Sequence, residues 1–409
     1  MNFQIKNYLN KHGRFSAMNL LIYIYFLLNV MFFLFGYDFL SKNVAYGIYA
    51  IIVYVFVINI ILRLKYLWRI NKVTIFFIIF LIYIFASCIW SEHIRQSIIL
   101  ILPYIAATVL AIHLRWVLKF DKVLNLIKLA ILISLILSLL TVIFIPSIGI
   151  MDVDGEGAWQ GIYGFKNKFG TALVLLTVLY LLKIKHSRIL LGYLCVLMVL
   201  FITLMTKSSS SILIIGVLIL SLLAIKLFSR LKQTTGKSLF TLISSIALIV
   251  IILCVSPYII ISLLGKDLSF TGRTVIWQDI FNYMPGSWFF GHGYGILEGG
   301  TSIIHQKISL DLNIRIFSAH NGYIEFLLNV GLIGLIGFIG TFIFGFKLTK
   351  NFSKSKAIQI KILLLTLLLI NLPETRILSN YSMFYWMMYV YIMFYIYTTK
   401  RKTFSKSIT

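Results

Sequence analysis

Long apolar runs alternate with short polar segments along the whole chain. Twelve of these runs approach the length of about 17 to 25 residues that a helix needs to cross the hydrocarbon core of a membrane. They lie near residues 17–36, 44–62, 73–90, 97–113, 123–145, 169–182, 189–205, 210–228, 239–264, 322–346, 358–372 and 380–398. The sixth and eleventh have only 14 and 15 residues, so we expect their helices to extend into the flanking sequence. The pattern predicts an all-α integral membrane protein with about twelve transmembrane helices.

Charged residues divide between the two sides that this alternation defines. With the N-terminus in the cytoplasm, 27 of the 37 Lys and Arg residues fall on the inner side and 11 of the 12 acidic residues on the outer side. Cytoplasmic loops of membrane proteins are enriched in basic residues, so both termini are predicted to be cytoplasmic. The division accounts for the net charge of +25 without a nucleic-acid partner. A composition of 60% hydrophobic and 12% charged residues excludes an ordinary soluble domain.

The working surface is predicted to lie outside the cytoplasm. The longest cytoplasmic loop has about 15 residues, which leaves no room for a nucleotide-binding domain within the single polytopic domain of residues 1–409. Two outer loops are large: residues 146–168, and residues 265–320 between the ninth and tenth spans. The second has more than fifty residues, and loops of that length usually have a function.

Two groups of residues could suggest metal or disulfide chemistry. Cys88, Cys195 and Cys254 all fall within predicted spans, so we interpret them as buried packing residues. Asp152 and Asp154 resemble the metal-binding carboxylate pair of glycosyltransferases that use nucleotide sugars. Sugar nucleotides do not reach the outer side, so we interpret these acids as solvated loop residues or glycan contacts. We therefore predict no metal site.

The large outer loop begins with an amphipathic segment. Its apolar residues share one helical face: Val275, Ile276, Ile280, Phe281 and Met284. A short helix of this kind can lie flat at the level of the lipid headgroups, with Trp277 as an interfacial anchor. Arg273 would lie at its start, where it faces a ligand phosphate or simply extends to the headgroups.

Two later features of the loop are candidates for local chemistry. The segment Gly291–Gly295 has neither a preceding strand nor a following dinucleotide-type helix, so we predict a tight turn that allows close backbone approach. His320 stands at the mouth of the tenth span. Histidine can accept a proton from a hydroxyl near neutral pH, although a single histidine at a helix end is often only structural.

Together these residues resemble the O-antigen ligase and polysaccharide polymerase superfamily of bacterial envelope glycosyltransferases. The resemblance covers about residues 146–345, with its core region at residues 206–345. Its most specific parts are Thr271-Gly272-Arg273-Thr274 with Trp277, the Gly291–Gly295 turn, and His320-Asn321 followed by Glu325 and Gly331.

A further stretch is similar to the exopolysaccharide polymerase branch of that superfamily. It comprises Trp159-Gln160-Gly161 and Lys166-Asn167-Lys168-Phe169-Gly170. The chain departs from its relatives at the start of the eighth span. There they often carry a basic residue within a serine-rich stretch, whereas this chain has Lys207 at a shifted position just before the serines.

The resemblance implies a glycosyl transfer at the outer face of the bacterial inner membrane. Its donor is an undecaprenyl-diphosphate-linked glycan and its acceptor a sugar hydroxyl on a second lipid-linked glycan, with no cofactor, nucleotide sugar or metal. Membrane lipids, a flippase and a chain-length regulator are the implied partners. The repeat-unit polymerase of an O-antigen, capsule or exopolysaccharide is the first interpretation, and a ligase that transfers glycan to lipid A core or another acceptor is the alternative. A polysaccharide flippase ranks lower because the predicted spans contain almost no ionisable residues.

The resemblance also implies roles for particular residues. His320 would be the general base, and Arg273 and Arg376 would bind the lipid diphosphate, because an arginine fork matches phosphate oxygens and stays charged. The remaining candidates are substrate-binding residues: Lys166, Lys168, Lys207, Asn321, Glu325 and Glu374. Glu374 lies two residues before Arg376, so it could instead form an ordinary surface salt bridge.

Overall fold

The structure is a computed structural model that describes residues 72–152, 157–182, 189–230, 273–297, 302–312, 316, 318–378 and 383–399. The predicted spans near residues 17–36, 44–62 and 239–264 lie outside the described residues. So do both chain termini, Asp154, Cys254 and the Thr271-Gly272 pair.

The described part of the chain is mainly helical. Its helices of nine or more residues are α1 (Lys72–Ala86), α2 (Ile94–Val117), α3 (Phe120–Phe144), α4 (Lys166–Leu181), α5 (Ile189–Met205), α6 (Ser209–Arg230), α7 (Arg273–Asn282), α8 (Ile303–Asp311), α9 (Gly322–Leu348), α10 (Lys354–Ile370) and α11 (Met383–Thr398). Short 3₁₀ turns prolong α1 at Ser87–Trp90 and α9 at Thr349–Asn351.

Four of these elements are long and apolar enough to cross a membrane: Lys72–Trp90, Ile94–Trp116, Phe120–Phe144 and Gly322–Asn351. They correspond to four of the predicted spans, and the prediction of a helical membrane protein is confirmed. Helices α4 and α10 coincide with the two short predicted spans and have 16 and 17 residues. Both extend in the N-terminal direction, to Lys166 and Lys354. The total of twelve spans and their orientation stay predictions.

Helix α11 lies at the centre of the bundle and packs against α1, α2, α9 and α10. Almost all of its side chains are buried, including Trp386 and Tyr389, whose polar atoms bond to Thr108 and Thr341. Apolar side chains on the outward faces of the peripheral helices remain exposed: Ile79, Ile82, Ile136, Leu197, Ile336 and Ile343. Such faces suit a lipid environment, where burial of apolar side chains requires no protein neighbour.

Helix α9 is interrupted at Gly331, which has φ of 65° and ψ of −171°. The turn at Gly291–Gly295 lies against this interruption, and the N–H groups of His292 and Gly293 donate to the carbonyls of Leu328 and Asn329 at 2.8 and 2.9 Å. A Cβ atom on Gly291 would lie 2.6 Å from the backbone of residues 329–331. The turn thus uses its glycine for close backbone approach, and it binds part of the large outer loop to the α9 span.

The smaller predicted outer loop, residues 146–168, contains two short strands, which the all-α prediction did not include. It contains a helical turn at Pro146–Gly149 and two antiparallel strands of two residues, β1 (Ile150–Met151) and β2 (Ala158–Trp159). A 3₁₀ turn at Gly161–Tyr163 then leads to α4. Because α4 starts at Lys166, the last three residues of the predicted loop belong to the first turn of that helix.

The predicted amphipathic helix of the large loop is α7, but its apolar face packs on protein. Ile276, Ile280 and Met284 are buried against residues of α8, α9 and the segment that includes Ile296. Val275 and Phe281, which were assigned to the same face, are partly exposed at 47% and 41%. A single stripe of the helix is therefore covered by protein and is not free to contact lipid. The level of α7 relative to the headgroups stays a prediction.

Candidate active site

Four segments that are remote in sequence meet at one carboxylate. They are the first turn of α4, the start of α7, the residue pair before α9, and the turn between α10 and α11. The carboxylate belongs to Glu374 in that last turn, and the groups around it come from Asn167, Arg273, His320 and Arg376.

Each oxygen of Glu374 has its own partners. Oε1 accepts hydrogen bonds from Nη2 of Arg273 at 2.8 Å and from Nδ2 of Asn167 at 2.7 Å. Oε2 lies 3.4 Å from Nδ1 of His320 and 3.8 Å from Nη2 of Arg376. One acidic side chain therefore contacts two guanidinium groups, an imidazole and an amide.

The environment of Glu374 is both buried and strongly positive. Burial of the side chain, which is 8% exposed, would by itself raise the pKa of the carboxyl. The hydrogen bond from His320 and the charges of Arg376 and Arg273 outweigh burial and lower this pKa to about 2. The carboxylate is therefore ionised at ordinary pH. This buried position contradicts the alternative of a surface salt bridge, because solvent does not surround the group.

Arg376 is buried deeply, with only 5% of its side chain exposed. Among the described residues, its Nε and Nη2 groups have no hydrogen-bond partner. Buried guanidinium groups ordinarily have their N–H donors satisfied, so these open donors suit a phosphate or hydroxyl group of a ligand. Arg273 is more accessible at 15%, and its Nη1 donates to the carbonyl of Pro373. These two contacts are with protein groups, and contact of Arg273 with a ligand phosphate or with lipid headgroups stays a prediction.

His320 presents a partly exposed imidazole at the N-terminal mouth of α9. Its backbone has φ of 49°, in the left-handed region, and its N–H donates to Oγ of Ser318. The side chain is 36% exposed. An ionised carboxylate can only accept a hydrogen bond, so Nδ1 carries the proton that faces Glu374. Nε2, on the opposite edge of the ring, is then the atom that can accept a proton.

Asn321 and Glu325 hold the backbone around His320. Oδ1 of Asn321 caps α9 by accepting from the N–H groups of Tyr323 and Ile324. Oε2 of Glu325 accepts from the N–H of Ala319 and from Oγ1 of Thr375, at 2.8 and 2.7 Å. Glu325 therefore joins the segment before His320 to the turn that contains Glu374. The substrate-binding roles expected for Asn321 and Glu325 stay predictions.

The turn that carries Glu374 and Arg376 is itself held by hydrogen bonds. Oδ1 of Asn371 accepts from the N–H groups of Arg376 and Ile377, and its carbonyl accepts from the N–H of Gly322. A Cβ atom on Gly322 would lie 2.1 Å from the Asn371 side chain, so only glycine allows this contact. The first turn of α9 is thereby fixed against the turn that follows α10.

The three candidate lysines lie at the edge of this cluster, not in its centre. Lys166 and Lys168 flank Asn167 on the first turn of α4 and are partly exposed. Lys207 is exposed, has φ of 49°, and precedes Ser208, whose Oγ donates to Oδ1 of Asn167 at 2.9 Å.

Sequence reasoning missed some residues of the site. Asn167 and Ser208 belong to quoted sequence stretches but were given no role, although the position of Asn167 between two candidate lysines was a usable signal. Trp277 also contributes to the site, because its Nε1 donates to the carbonyl of Ala319 at 2.8 Å, directly before His320. Its role as an interfacial anchor stays a prediction.

Comparison with known proteins is consistent with this arrangement. Residues 173–339 match the family model described as O-antigen ligase. This range includes Arg273 and His320, whereas Glu374 and Arg376 lie beyond it. No curated protein matches the chain. The match confirms the resemblance found in the sequence: over residues 173–339 the chain is similar to the O-antigen ligase and polysaccharide polymerase superfamily.

Proposed function

We propose that this membrane protein polymerises oligosaccharide repeat units that are carried on undecaprenyl diphosphate, at the outer face of the bacterial inner membrane. The observation that carries the proposal is the convergence of Arg273, Arg376 and His320 on the single carboxylate of Glu374. The match of residues 173–339 to the O-antigen ligase family model supports a glycosyltransferase of this general type. The nature of the donor and the choice between polymerase and ligase are part of the proposal.

The two arginines suit a leaving lipid diphosphate. Negative charge grows on the diphosphate as the bond to the sugar breaks, and fixed cations in a site with little water stabilise that charge. Two guanidinium groups, those of Arg273 and Arg376, lie within 4 Å of the Glu374 carboxylate and supply fixed positive charge at this position. Arg376 would bind the phosphate oxygens through its open Nε and Nη2 donors. Arg273, held by Glu374, would face the same group from the start of α7.

His320 suits the acceptor side of the reaction. The acceptor hydroxyl would give its proton to Nε2 of His320 while its oxygen forms a bond to the anomeric carbon of the donor sugar. The bond between that carbon and the phosphate oxygen breaks, and its electron pair leaves with the lipid diphosphate. The products are a lengthened glycan, a free lipid diphosphate and an imidazolium that returns its proton to solvent.

The lysines at the edge would extend the positive surface beyond the centre. Lys166, Lys168 and Lys207 stand around the junction of α4 and α6, next to the hydrogen bond between Asn167 and Ser208. Ammonium groups in such positions would attract the anionic donor and contact its second phosphate or the lipid headgroups.

The polymerase interpretation rests on the sequence similarity at Trp159–Gly161 and Lys166–Gly170. The ligase remains the second candidate, because a ligase would use the same donor and the same proton transfer. A deletion strain separates the two when its surface glycan and its lipid-linked pool are compared on gels. We expect a single repeat unit on the acceptor and no ladder. Long glycan stranded on undecaprenyl diphosphate beside a bare acceptor would contradict the polymerase and support the ligase.

A further inference from the structure

We propose that Glu374 is a positioning residue that holds His320 and Arg273 in place for the transfer step, without itself binding the substrate. The inference rests on the function proposed above and replaces the substrate-binding role expected from the sequence. Its basis is the division of the two carboxylate oxygens between different partners, described for the candidate active site.

The first part of the argument concerns the ring of His320. A general base must present an unprotonated nitrogen to the acceptor hydroxyl, and an imidazole can do so from either ring nitrogen. The hydrogen bond from Nδ1 to Oε2 of Glu374 selects one tautomer and one ring orientation. In catalytic triads, a carboxylate behind the histidine has this same effect and also stabilises the imidazolium that forms. The distance of 3.4 Å is long, as such bonds often are in the absence of substrate.

The second part concerns Arg273 and the fixation of the carboxylate. Oε1 receives hydrogen bonds from Arg273 and from Asn167, and Asn167 in turn accepts a hydrogen bond from Ser208, the residue before α6. Residues on two separate helices, Arg273 on α7 and Asn167 on α4, therefore fix the orientation of the Glu374 carboxylate. That orientation sets the distance between the guanidinium expected on the donor side and the imidazole expected on the acceptor side.

The third part is the small exposure of Glu374. Its side chain is 8% exposed, whereas that of His320 is 36% exposed. A carboxylate also repels the diphosphate of the donor, so direct contact with that group would weaken donor binding. Glu374 therefore acts on the reaction through His320 and Arg273, which it holds by hydrogen bonds.

The test is a double-mutant cycle on the purified full-length protein in detergent. The substrate is undecaprenyl-diphosphate-linked repeat units, and kcat and donor KM are measured for wild type, Glu374→Gln, His320→Ala and the double variant. Glutamine keeps the size of the side chain but has only one accepting oxygen. We expect Glu374→Gln to lower kcat by about 10-fold or more, as part of the roughly 10²- to 10⁴-fold that a general base contributes. In the His320→Ala background, whose residual rate is followed over long incubations, we expect the same change to lower kcat by a clearly smaller factor, because only the contribution made through Arg273 remains.

A conservative variant and a matched control separate positioning from folding. Glu374→Asp keeps the charge, so we expect it to recover part of the kcat that Glu374→Gln loses. Asp121→Asn removes the carboxylate of another ion pair, with Lys356, and should leave kcat and KM unchanged. Thermal unfolding of each variant checks that the protein is folded.

Three outcomes would overturn the inference. One is a wild-type kcat for Glu374→Gln while His320→Ala is inactive, which leaves the proposed function intact. Another is an equal fold loss from Glu374→Gln in both backgrounds, which indicates a role that does not act through His320. Near-normal kcat for His320→Ala would remove the general base on which this inference rests, whereas a wild-type protein that leaves the repeat units unchanged would overturn the proposed function itself.

Discussion

The two ends of α10 each carry an ion pair, and the comparison between them shows what distinguishes a site from a surface contact. At its start, Nζ of Lys356 lies 2.6 Å from Oδ1 of Asp121. Beyond its other end, Oε1 of Glu374 lies 2.8 Å from Nη2 of Arg273. The Asp121 side chain is 59% exposed and that of Glu374 is 8% exposed. The shorter pair is thus the more solvated one.

The difference shows that burial and the number of partners distinguish a candidate functional site from a surface ion pair better than a single distance does. Exposed pairs of this kind contribute about 0 to 1 kcal/mol, because water and salt compete for both charges. Burial of several charges costs desolvation free energy, a cost that apolar side chains in the same place would not have. A buried cluster of charges is therefore weak evidence that the cluster stabilises the fold. Strongly perturbed pKa values in such groups are instead typical of functional sites. The predictions below test this contrast, from the largest expected effect to the smallest.

The largest effect is expected for His320→Ala. Loss of the proposed general base should lower polymer formation by about 10²- to 10⁴-fold. The measurement is glycan length on gels from a deletion strain that expresses the variant, with protein abundance followed by immunoblot. Polymer of near-normal length at wild-type abundance would remove His320 from the mechanism.

Arg376→Lys should weaken donor binding while it keeps the charge. A lysine cannot replace the open Nε and Nη2 donors of the guanidinium fork. Loss of one charge-assisted hydrogen bond, worth about 1.5 to 3 kcal/mol, corresponds to a donor KM that rises about 10-fold or more. The matched control is Arg115→Lys at the end of α2, where the guanidinium contacts Thr398 and Tyr395. Equal donor KM values for the two variants would contradict a special role for Arg376.

Gly331→Ala tests whether the candidate active site depends on the scaffold as well as on charge. The backbone at Gly331 is almost restricted to glycine, and a Cβ atom there would lie 2.2 Å from the carbonyl oxygen of Phe289. We expect a loss of about 1 to 3 kcal/mol in the free energy of unfolding. Gly340→Ala on the same helix is the control, because its Cβ would meet Phe76 at an ordinary 3.4 Å. Thermal unfolding in detergent measures both, and an unchanged Gly331→Ala would contradict the docking of the loop on α9.

The pH dependence of thermal stability tests whether the fold lowers the pKa of the buried Glu374 carboxyl. Because the folded state holds the pKa of Glu374 at about 2, below its usual value of about 4.3, ionised Glu374 stabilises the fold above pH 4.3. We expect the difference in thermal stability between wild type and Glu374→Gln to stay constant from pH 8 to pH 5. It should shrink as the pH falls from about 4.3 towards 2. A difference that disappears already between pH 7 and pH 5 would contradict the assigned environment.

The smallest effect is expected for Asp121→Asn. The exposed pair with Lys356 contributes less than about 1 kcal/mol, so unfolding should change little at physiological ionic strength. Thermal unfolding at low and high salt measures this contribution. A destabilisation as large as that of Glu374→Gln would remove the contrast between the two ends of α10.

Much of the helical framework could be predicted from the apolar runs, whereas contacts between remote segments could not. The run that contains Gly331 is continuous in hydrophobicity, so nothing in its pattern predicts an interruption. The interruption is stable because the backbone around Trp288–Gly293 satisfies the hydrogen bonds that α9 loses, and these residues lie some forty positions earlier. The amphipathic pattern of α7 likewise predicted an apolar face, but it could not identify the protein surface that covers this face.

Individual residues of the site could be chosen from residue type and location. Arg273, His320 and Arg376 lie in segments that the sequence predicts to be on the outer side, where cations and an imidazole suit phosphate and proton chemistry. The central place of Glu374 could not be predicted, because a carboxylate two residues from an arginine is also typical of a surface pair. Its burial and its contact with Asn167 depend on the packing of α4 against α10, and local sequence does not encode that packing.

The most direct test of the central claim uses purified wild-type protein in detergent with undecaprenyl-diphosphate-linked repeat units as the only glycan. Detergent solution offers no second compartment, so a transporter has nothing to transport. We predict a ladder of lengthened lipid-linked glycans, together with release of one undecaprenyl diphosphate for each new glycosidic bond. Folded protein that leaves the repeat units unchanged and releases no lipid diphosphate would contradict the account.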